Sequence, residues 1–268
     1  IGDVGWYLWE DLNVCYEGGM NFGWPLFEGH EPTVEYSTMA PVMNLDAPNP
    51  LYDGVNCTQP YFTFQDLLKQ AAPVHTGLHP NPCNPGVQVP ATAPRHFHSR
   101  PAIDWLHGNR SRSSGFAGST PVTYDLDAPG APVPGPRFGG NAALAGPWIS
   151  GENMPLGYQN STFHGDFAAG WIRRFMFDEN DAPVSVHDFA SGLGAITWIG
   201  TSPNDGCVWY IRYDANQLRR ICYTLAVNLP PVAVAEQDVQ YGPGPLTVQF
   251  TGSNSSDPEN GQLTYLWD

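Results

Sequence analysis

The chain is predicted to be all-β, on three observations. Glycine and proline are abundant, at 29 and 27 of 268 residues, against only 14% charged residues, a balance that favours many short strands joined by turns. Short alternating runs recur between turn-forming clusters over the second half of the chain. Helical periodicity is scarce, and Leu67-Leu68-Lys69-Gln70 is at most one turn or two. With 41% hydrophobic and 13% aromatic residues, the length suits one large β domain or two smaller ones.

The first stretch, Ile1 to Gly29, reads as a turn, a strand, a second turn and an aromatic knot. Leu12, Val14 and Tyr16 alternate with Asn13 and Cys15, the period of a half-buried strand. Glu17-Gly18-Gly19 breaks it, and Asn21-Phe22-Gly23-Trp24-Pro25 sets large rings on glycine-permitted backbone. Residues 31–100 then form a polar excursion whose many prolines rule out central strands. It is expected to be a surface insertion in which a disulfide offsets a missing core. His75, His79, His96, His98 and His107 lie in or beside it. His96 and His98 would share one face of a strand, as metal ligands can, but no acidic or cysteine ligand completes a set, so solvated loop histidines are expected.

The run PAIDWLHGNRSRSSGFAG from Pro101 restores strand-like sequence, and residues 119–147 make another Pro/Gly-rich loop. Strands are then expected at PWISG, STFHGDF, GWIRRFMFD, APVSVHDF, AITWIGTSP, CVWYIRYD and QLRRICYTL. In GWIRRFMFD, Trp171, Arg173, Phe175 and Phe177 share one face and Ile172, Arg174 and Met176 the other. Apolar bulk on both faces predicts a sheet packed on both sides. At Asn228-Leu229-Pro230-Pro231 the character changes, and LTVQF and LTYLW alternate as strands of a second domain.

The five cysteines have no C-x-x-C spacing. Cys207 and Cys222 fall opposite each other on two strands that turn near Asp214 to Asn216, which predicts a cross-strand disulfide. Cys57 and Cys83 flank a proline-rich loop and form the natural second pair. Cys15 is left over, either as a thiol buried in its strand, the favoured reading, or with a partner outside the chain. Sequons at Asn56, Asn109, Asn160 and Asn254 sit in loop-like sequence and, with the paired cysteines, favour an extracellular glycoprotein, secreted or on the cell surface. A net charge of −15 opposes nucleic-acid binding, and no apolar run is long enough to insert in a membrane as a helix.

The order of motifs adds a further expectation. GDVG…WEDLNV…GGMNFGWPLFEG resembles the GDVGQ…WEEIN…GGNYGWP…EG signature of the glucose/sorbosone dehydrogenase family, and the likeness extends to the RRI-Y run ending at Tyr223. That resemblance implies the C-terminal portion of a six-bladed β-propeller over residues 1–227. It also implies oxidation of an aldose, with hydride passing to pyrroloquinoline quinone (PQQ) beside calcium. It puts calcium and cofactor contacts at the carbonyls of Gly5 and Trp6, and Trp105 either beside the quinone or in a blade core. The family's base lies in blades preceding this motif. Residues 228–268 resemble the opening of a PKD-type immunoglobulin-like domain. Two departures stand out. The family's enzymes have a lysine where this chain reads Asp166-Phe167-Ala168-Ala169-Gly170, and two arginines where it reads Gly194 to Trp198. Two functions are therefore carried forward: a PQQ-dependent sugar dehydrogenase, or a non-catalytic extracellular adhesive or assembly-forming glycoprotein. The partners expected are a sugar or glycan, further copies of the chain, or other extracellular proteins.

Overall fold

The computed structural model describes residues 1–37, 40–70, 79–149, 154–202, 206–223, 230–257 and 262–267. The chain divides into two compact units, Ile1–Tyr223 and Thr224–Asp268, a few residues before the expected boundary. The expectation for His75, and the start of the expected change at Asn228-Leu229, lie outside the described residues.

Unit 1 is all-β, as its composition predicts. Strands β1 (Gly2–Asp3), β2 (Trp9–Leu12), β3 (Ile103–Leu106), β4 (Ser111–Ala117) and β5 (Thr120–Asp125) form one antiparallel sheet in that order. A second antiparallel sheet follows from β6 (Ala143–Ile149), β7 (Ser161–Asp166), β8 (Trp171–Phe177) and β9 (Pro183–Ala190). The third comprises β10 (Ile196–Thr201), β11 (Val208–Arg212) and β12 (Gln217–Ile221). In the second and third sheets every strand pairs with its neighbour in sequence. In the first, β2 pairs directly with β3, so residues 13–102 leave the sheet and return to the adjacent position.

The opening strand is shorter than its alternation predicts. It spans Trp9–Leu12, all four residues are buried, and Val14 to Tyr16 lie beyond it. The reason is pairing: β2 has β1 on one edge and β3 on the other and is covered on both faces, so its pattern is a continuous buried run.

Two apolar clusters pack around the three sheets of unit 1. Leu12, Ile103, Trp105, Phe138, Trp171, Phe175 and Phe177 pack together, and Phe163, Ile172, Ile196, Ile199, Val208 and Tyr210 form the other. Strand β8 feeds both, with Trp171, Phe175 and Phe177 in the first and Ile172 in the second, as its two apolar faces predict.

The excursion has a core of its own, which corrects the expectation that its disulfide substitutes for one. Ala47, Phe62, Leu67, Val89 and Ala93 are buried together. Short ladders join Met43–Pro48 to Tyr61–Thr63 and Pro80–Asn81 to Asn84–Gln88. A single helical turn, Phe64–Leu67, starts at Thr63, whose hydroxyl accepts from the Asp66 N–H while the Asp66 carboxylate accepts from the Thr63 N–H. That reciprocal cap places the turn earlier than the Leu67–Gln70 run predicted.

Both predicted disulfides are present, Cys57–Cys83 and Cys207–Cys222. The second sits one residue outside the Val208–Ile221 pair of the β11–β12 hairpin, and its turn ends at Asn216 in the left-handed region. Cys15 is free, but it is exposed rather than buried, because β2 ends before reaching it. In unit 2, Glu236–Gln237 pairs with Phe250–Thr251 and Val232 bridges Ser256. LTVQF thus enters a ladder only at its end. The described part of LTYLW, 263–267, is not a strand, since alternation supplies a face but no hydrogen-bonding partner.

The Cys207–Cys222 bridge closes a sequence separation of 15 residues. Replacing both cysteines with alanine is expected to lower the unfolding free energy by about 3 kcal/mol, read from the urea midpoint. An unchanged midpoint would mean that the hairpin needs no staple.

Candidate functional site

The interior of the first sheet carries an unusual row of charge. Direct cross-strand partners run Asp3, Asp11, Asp104, Arg112, Asp125 from β1 to β5, so all five side chains share one face. Asp104 is fully buried, and Arg112 grips it with two bonds, Nε to Oδ1 at 3.0 Å and Nη2 to Oδ2 at 2.5 Å. The guanidinium also donates to Glu31 Oε1 at 2.6 Å and lies 3.6 Å over the Trp9 ring. His30 adds its Nδ1 at 2.7 Å from Asp104 Oδ2, while its Nε2 meets the Pro101 carbonyl at 3.0 Å. A carbonyl only accepts, so Nε2 donates to it. Burial alone would push the Asp104 carboxyl up, but His30 and Arg112 together hold it below the usual carboxylate range. Gly29, in the left-handed region, passes so close that a Cβ there would lie 2.7 Å from Asp104 Oδ2.

Asp11 is the other extreme. Burial, then Asp3 and Asp104 on either side, push it up to about 8, so it keeps its proton at neutral pH. Asn13 Nδ2 donates to its Oδ1 at 2.6 Å.

The opposite face of the sheet is equally engaged. Glu10 Oε1 meets His107 Nε2 at 2.6 Å and Oε2 accepts from the Ala143 N–H at 2.5 Å. Burial raises the Glu10 carboxyl nonetheless. Asp166, at the end of β7, accepts from the N–H groups of Ala142, Ala168 and Ala169 and stands 3.4 Å from Trp105 Nε1.

The residues singled out by sequence fall in different places. Gly5 and Trp6 lie on a loop folded round the Glu28 carboxylate, which accepts from the N–H groups of Tyr7, Leu8 and Trp9 at 2.7, 2.8 and 3.1 Å. Trp6 is 58% exposed and contacts Trp24 and Tyr36, with ring centroids 6.2 and 5.7 Å away. Trp105 is 0% exposed, enclosed by Phe138, Trp171 and Phe175 at 5.7, 5.6 and 6.3 Å. It therefore serves as a core tryptophan, with neither face open to a quinone. The structure does not bring Gly5, Trp6 and Trp105 together on one surface.

The residues present do not fit an anionic quinone against Trp105. Beyond the enclosed ring, Arg112 is committed to Asp104 and Glu31, and Arg173 lies 4.4 Å over Phe138 and pairs with Asp188. Among the described residues no three His, Cys, Asp or Glu side chains gather as metal ligands. His96 is exposed, but His79 and His98 are buried, which corrects the expectation of solvated histidines. His79 Nε2 reaches the His96 carbonyl and His98 Nδ1 meets Gln70 Nε2, both at 3.0 Å. The four sequon asparagines, Asn56, Asn109, Asn160 and Asn254, are all exposed.

An open feature adjoins the aromatic end of the opening motif. A cavity of about 530 Å³ is walled by Trp24, Leu26, Tyr36, Phe64 and Leu68, with Gln65 among them. Gln65 Nε2 donates to the Tyr36 carbonyl at 3.3 Å, whereas its buried Oε1 has no partner among the described residues. Sequence reasoning missed this cavity and the charge row alike. The row had a readable signal, acidic residues set between apolar ones in WEDL and IDWL. No family model, curated protein or solved structure matches the chain.

The titrating groups predict a stability maximum. Asp11 binds its proton more tightly folded than unfolded, so its contribution is present at low pH and lost as pH rises through about 8. His98 and His164, both lowered to about 3 chiefly by burial, act oppositely: their contribution is lost as pH falls below 6.5. Two histidines outweigh one aspartate on the acid side, so stability should peak near pH 6.5. Between about pH 6.5 and 8 it should fall by at most about 1.4 kcal/mol per unit. D11N should flatten that alkaline limb, measured by urea unfolding across pH; an unaltered limb would remove Asp11 as its source.

Proposed function

We propose that the protein is an extracellular, non-catalytic recognition glycoprotein whose binding surface is the Trp6–Trp24–Tyr36 cluster and the cavity behind it. The ligand class is a sugar or glycan. The observation that carries this reading is the cluster of Trp6, Trp24 and Tyr36 rings, with centroids 5.7 to 6.2 Å apart, beside a cavity that Trp24 and Tyr36 wall. Aromatic walls offer flat apolar faces for the C–H side of a pyranose, and a few convergent polar groups fix its orientation. Trp24, half exposed, stands at the opening. The net charge of −15 favours a neutral ligand over an anionic one.

The same reading takes the three successive antiparallel sheets as blades of a β-propeller and unit 2 as part of an immunoglobulin-like sandwich. Support comes from the meander order of the second and third sheets and from the packing of the second on both faces. Two disulfides and four exposed sequons support an oxidising, glycosylating route. The buried carboxylates support a non-catalytic role because each is engaged by hydrogen bonds within the fold.

A second reading, a PQQ-dependent aldose dehydrogenase, is favoured by one observation, the GDVG…GGMNFGWPLFEG motif. The two readings separate in one set of measurements. Tryptophan fluorescence titrated with a panel of neutral glycans should saturate, and Trp24→Ala should weaken binding about tenfold, near 1.4 kcal/mol. Its unfolding midpoint should stay near wild type. In parallel, the protein mixed with PQQ, calcium and an aldose should reduce no dye. Dye turnover would reject the non-catalytic reading, and a flat titration across the panel would reject the binding surface.

A further inference from the structure

Two arginines serve the first sheet, and they differ in what balances their charge. Arg112 is paired with Asp104 and Glu31. Arg100, where the excursion returns, gives Nη1 to the Gly115 carbonyl at 2.7 Å and Nη2 to the Val122 carbonyl at 3.0 Å. Among the described residues no carboxylate lies within ion-pair distance of it. The residue is only partly exposed, so its charge has lost hydration without gaining a counter-ion. Each terminal nitrogen carries a second hydrogen, and neither is given to a described residue. Beside Arg100 lies a cavity of about 510 Å³ that shares no lining residue with the one at Trp24. Ser114 and Phe116 of β4 line it with Arg100, and Phe97 and Met20 extend its apolar side. The guanidinium carbon is 5.3 Å from the centre of the Phe116 ring, and Nη1 is bonded to the residue between Ser114 and Phe116. The charge is therefore held at the cavity wall.

We propose that this cavity binds a small aromatic monocarboxylate, its carboxylate on the Arg100 guanidinium and its ring against Phe97 and Phe116. A carboxylate is the acceptor that the paired N–H groups of a guanidinium fit, and the Ser114 hydroxyl supplies a further donor. The volume lies within the range that encloses a small ligand, and an apolar lining with few polar groups suits an aryl body. One cation sets the ligand's charge at one. Glu17 also lines the cavity and the chain carries −15, so a dianion such as phosphate would meet repulsion that a single guanidinium does not offset. A monoanion is admitted because charges more than about 10 Å away are largely screened, whereas the guanidinium is in contact. This inference is independent of the glycan surface, which lies around Trp24.

The test titrates the full chain with 3-phenylpropanoate at neutral pH, followed by ligand-observed NMR, with 3-phenylpropanamide and acetate in parallel. The amide has the same body without the charge, and acetate has the charge without the body. The aryl acid should bind about tenfold more tightly than either. Arg100→Gln should erase the difference between acid and amide, and Arg100→Lys should restore part of it. Ser114→Glu sets a carboxylate beside the guanidinium and should remove the acid's advantage as well. Because Arg100 also braces Gly115 and Val122, Ser114→Glu decides if Arg100→Gln does not fold. Equal affinity for acid and amide, acetate binding as tightly as the aryl acid, no saturable binding of the acid, or an advantage that survives Ser114→Glu would each overturn the proposal.

Discussion

The buried pair of Arg112 and Asp104 is the interaction on which unit 1 depends. An isolated carboxylate in that position would cost several kcal/mol in lost hydration, and so would the guanidinium. Their two-point contact, with Trp9 covering the cation, makes both tolerable. The pair also reaches beyond the sheet. Glu31 and His30 come from the start of the long excursion and bind the same two residues. The excursion is thus anchored where it leaves the sheet, and its return at Pro101 is fixed by His30 Nε2. Removing either member would strand the other charge in the interior, a loss several times that of an exposed ion pair.

The charge row explains why neighbouring carboxylates can share a face. Arg112 neutralises Asp104, and Asp11 remains protonated, so Asp3, Asp11 and Asp104 present fewer negative charges than their number suggests. Like charges set directly opposite each other weaken a sheet, and a retained proton removes that repulsion. The arrangement ties the fold's stability to neutral or mildly acidic surroundings. It also leaves the sheet's own carboxylates engaged within the fold.

Much of the architecture was legible because turn chemistry and alternation act locally. The second and third sheets pair neighbours in sequence, so their strands and the Cys207–Cys222 register follow from the string of residues. The first sheet was harder. β2 finds β3 across the whole excursion, and a strand covered on both faces loses the alternation by which strands are recognised. Cys15 was placed wrongly for the same reason, since the alternating pattern ran on past the point where pairing stops. The buried histidines were missed because proline-rich sequence reads as solvated surface, whereas the excursion gathers a core around Phe62. As for the candidate site, Trp105 was readable as important but not as enclosed, because enclosure depends on Phe138, Trp171 and Phe175 arriving from the second sheet.

The contact between the first two sheets carries the functional argument to its end. Where the resembling enzymes set a lysine, this chain sets the Asp166 to Gly170 turn, and Asp166 accepts three backbone N–H groups. Gly140 is required there, since a Cβ would lie 1.9 Å from Asp166 Oδ2. A carboxylate saturated by amides holds a corner in place and has no lone pair directed at a ligand. The same economy holds at Glu28 and Glu10, each filled by donors from its own unit. The open surface is aromatic instead, where Trp6, Trp24 and Tyr36 gather beside a cavity. The proposed glycan recognition therefore belongs to that aromatic surface, and the charged interior belongs to the fold.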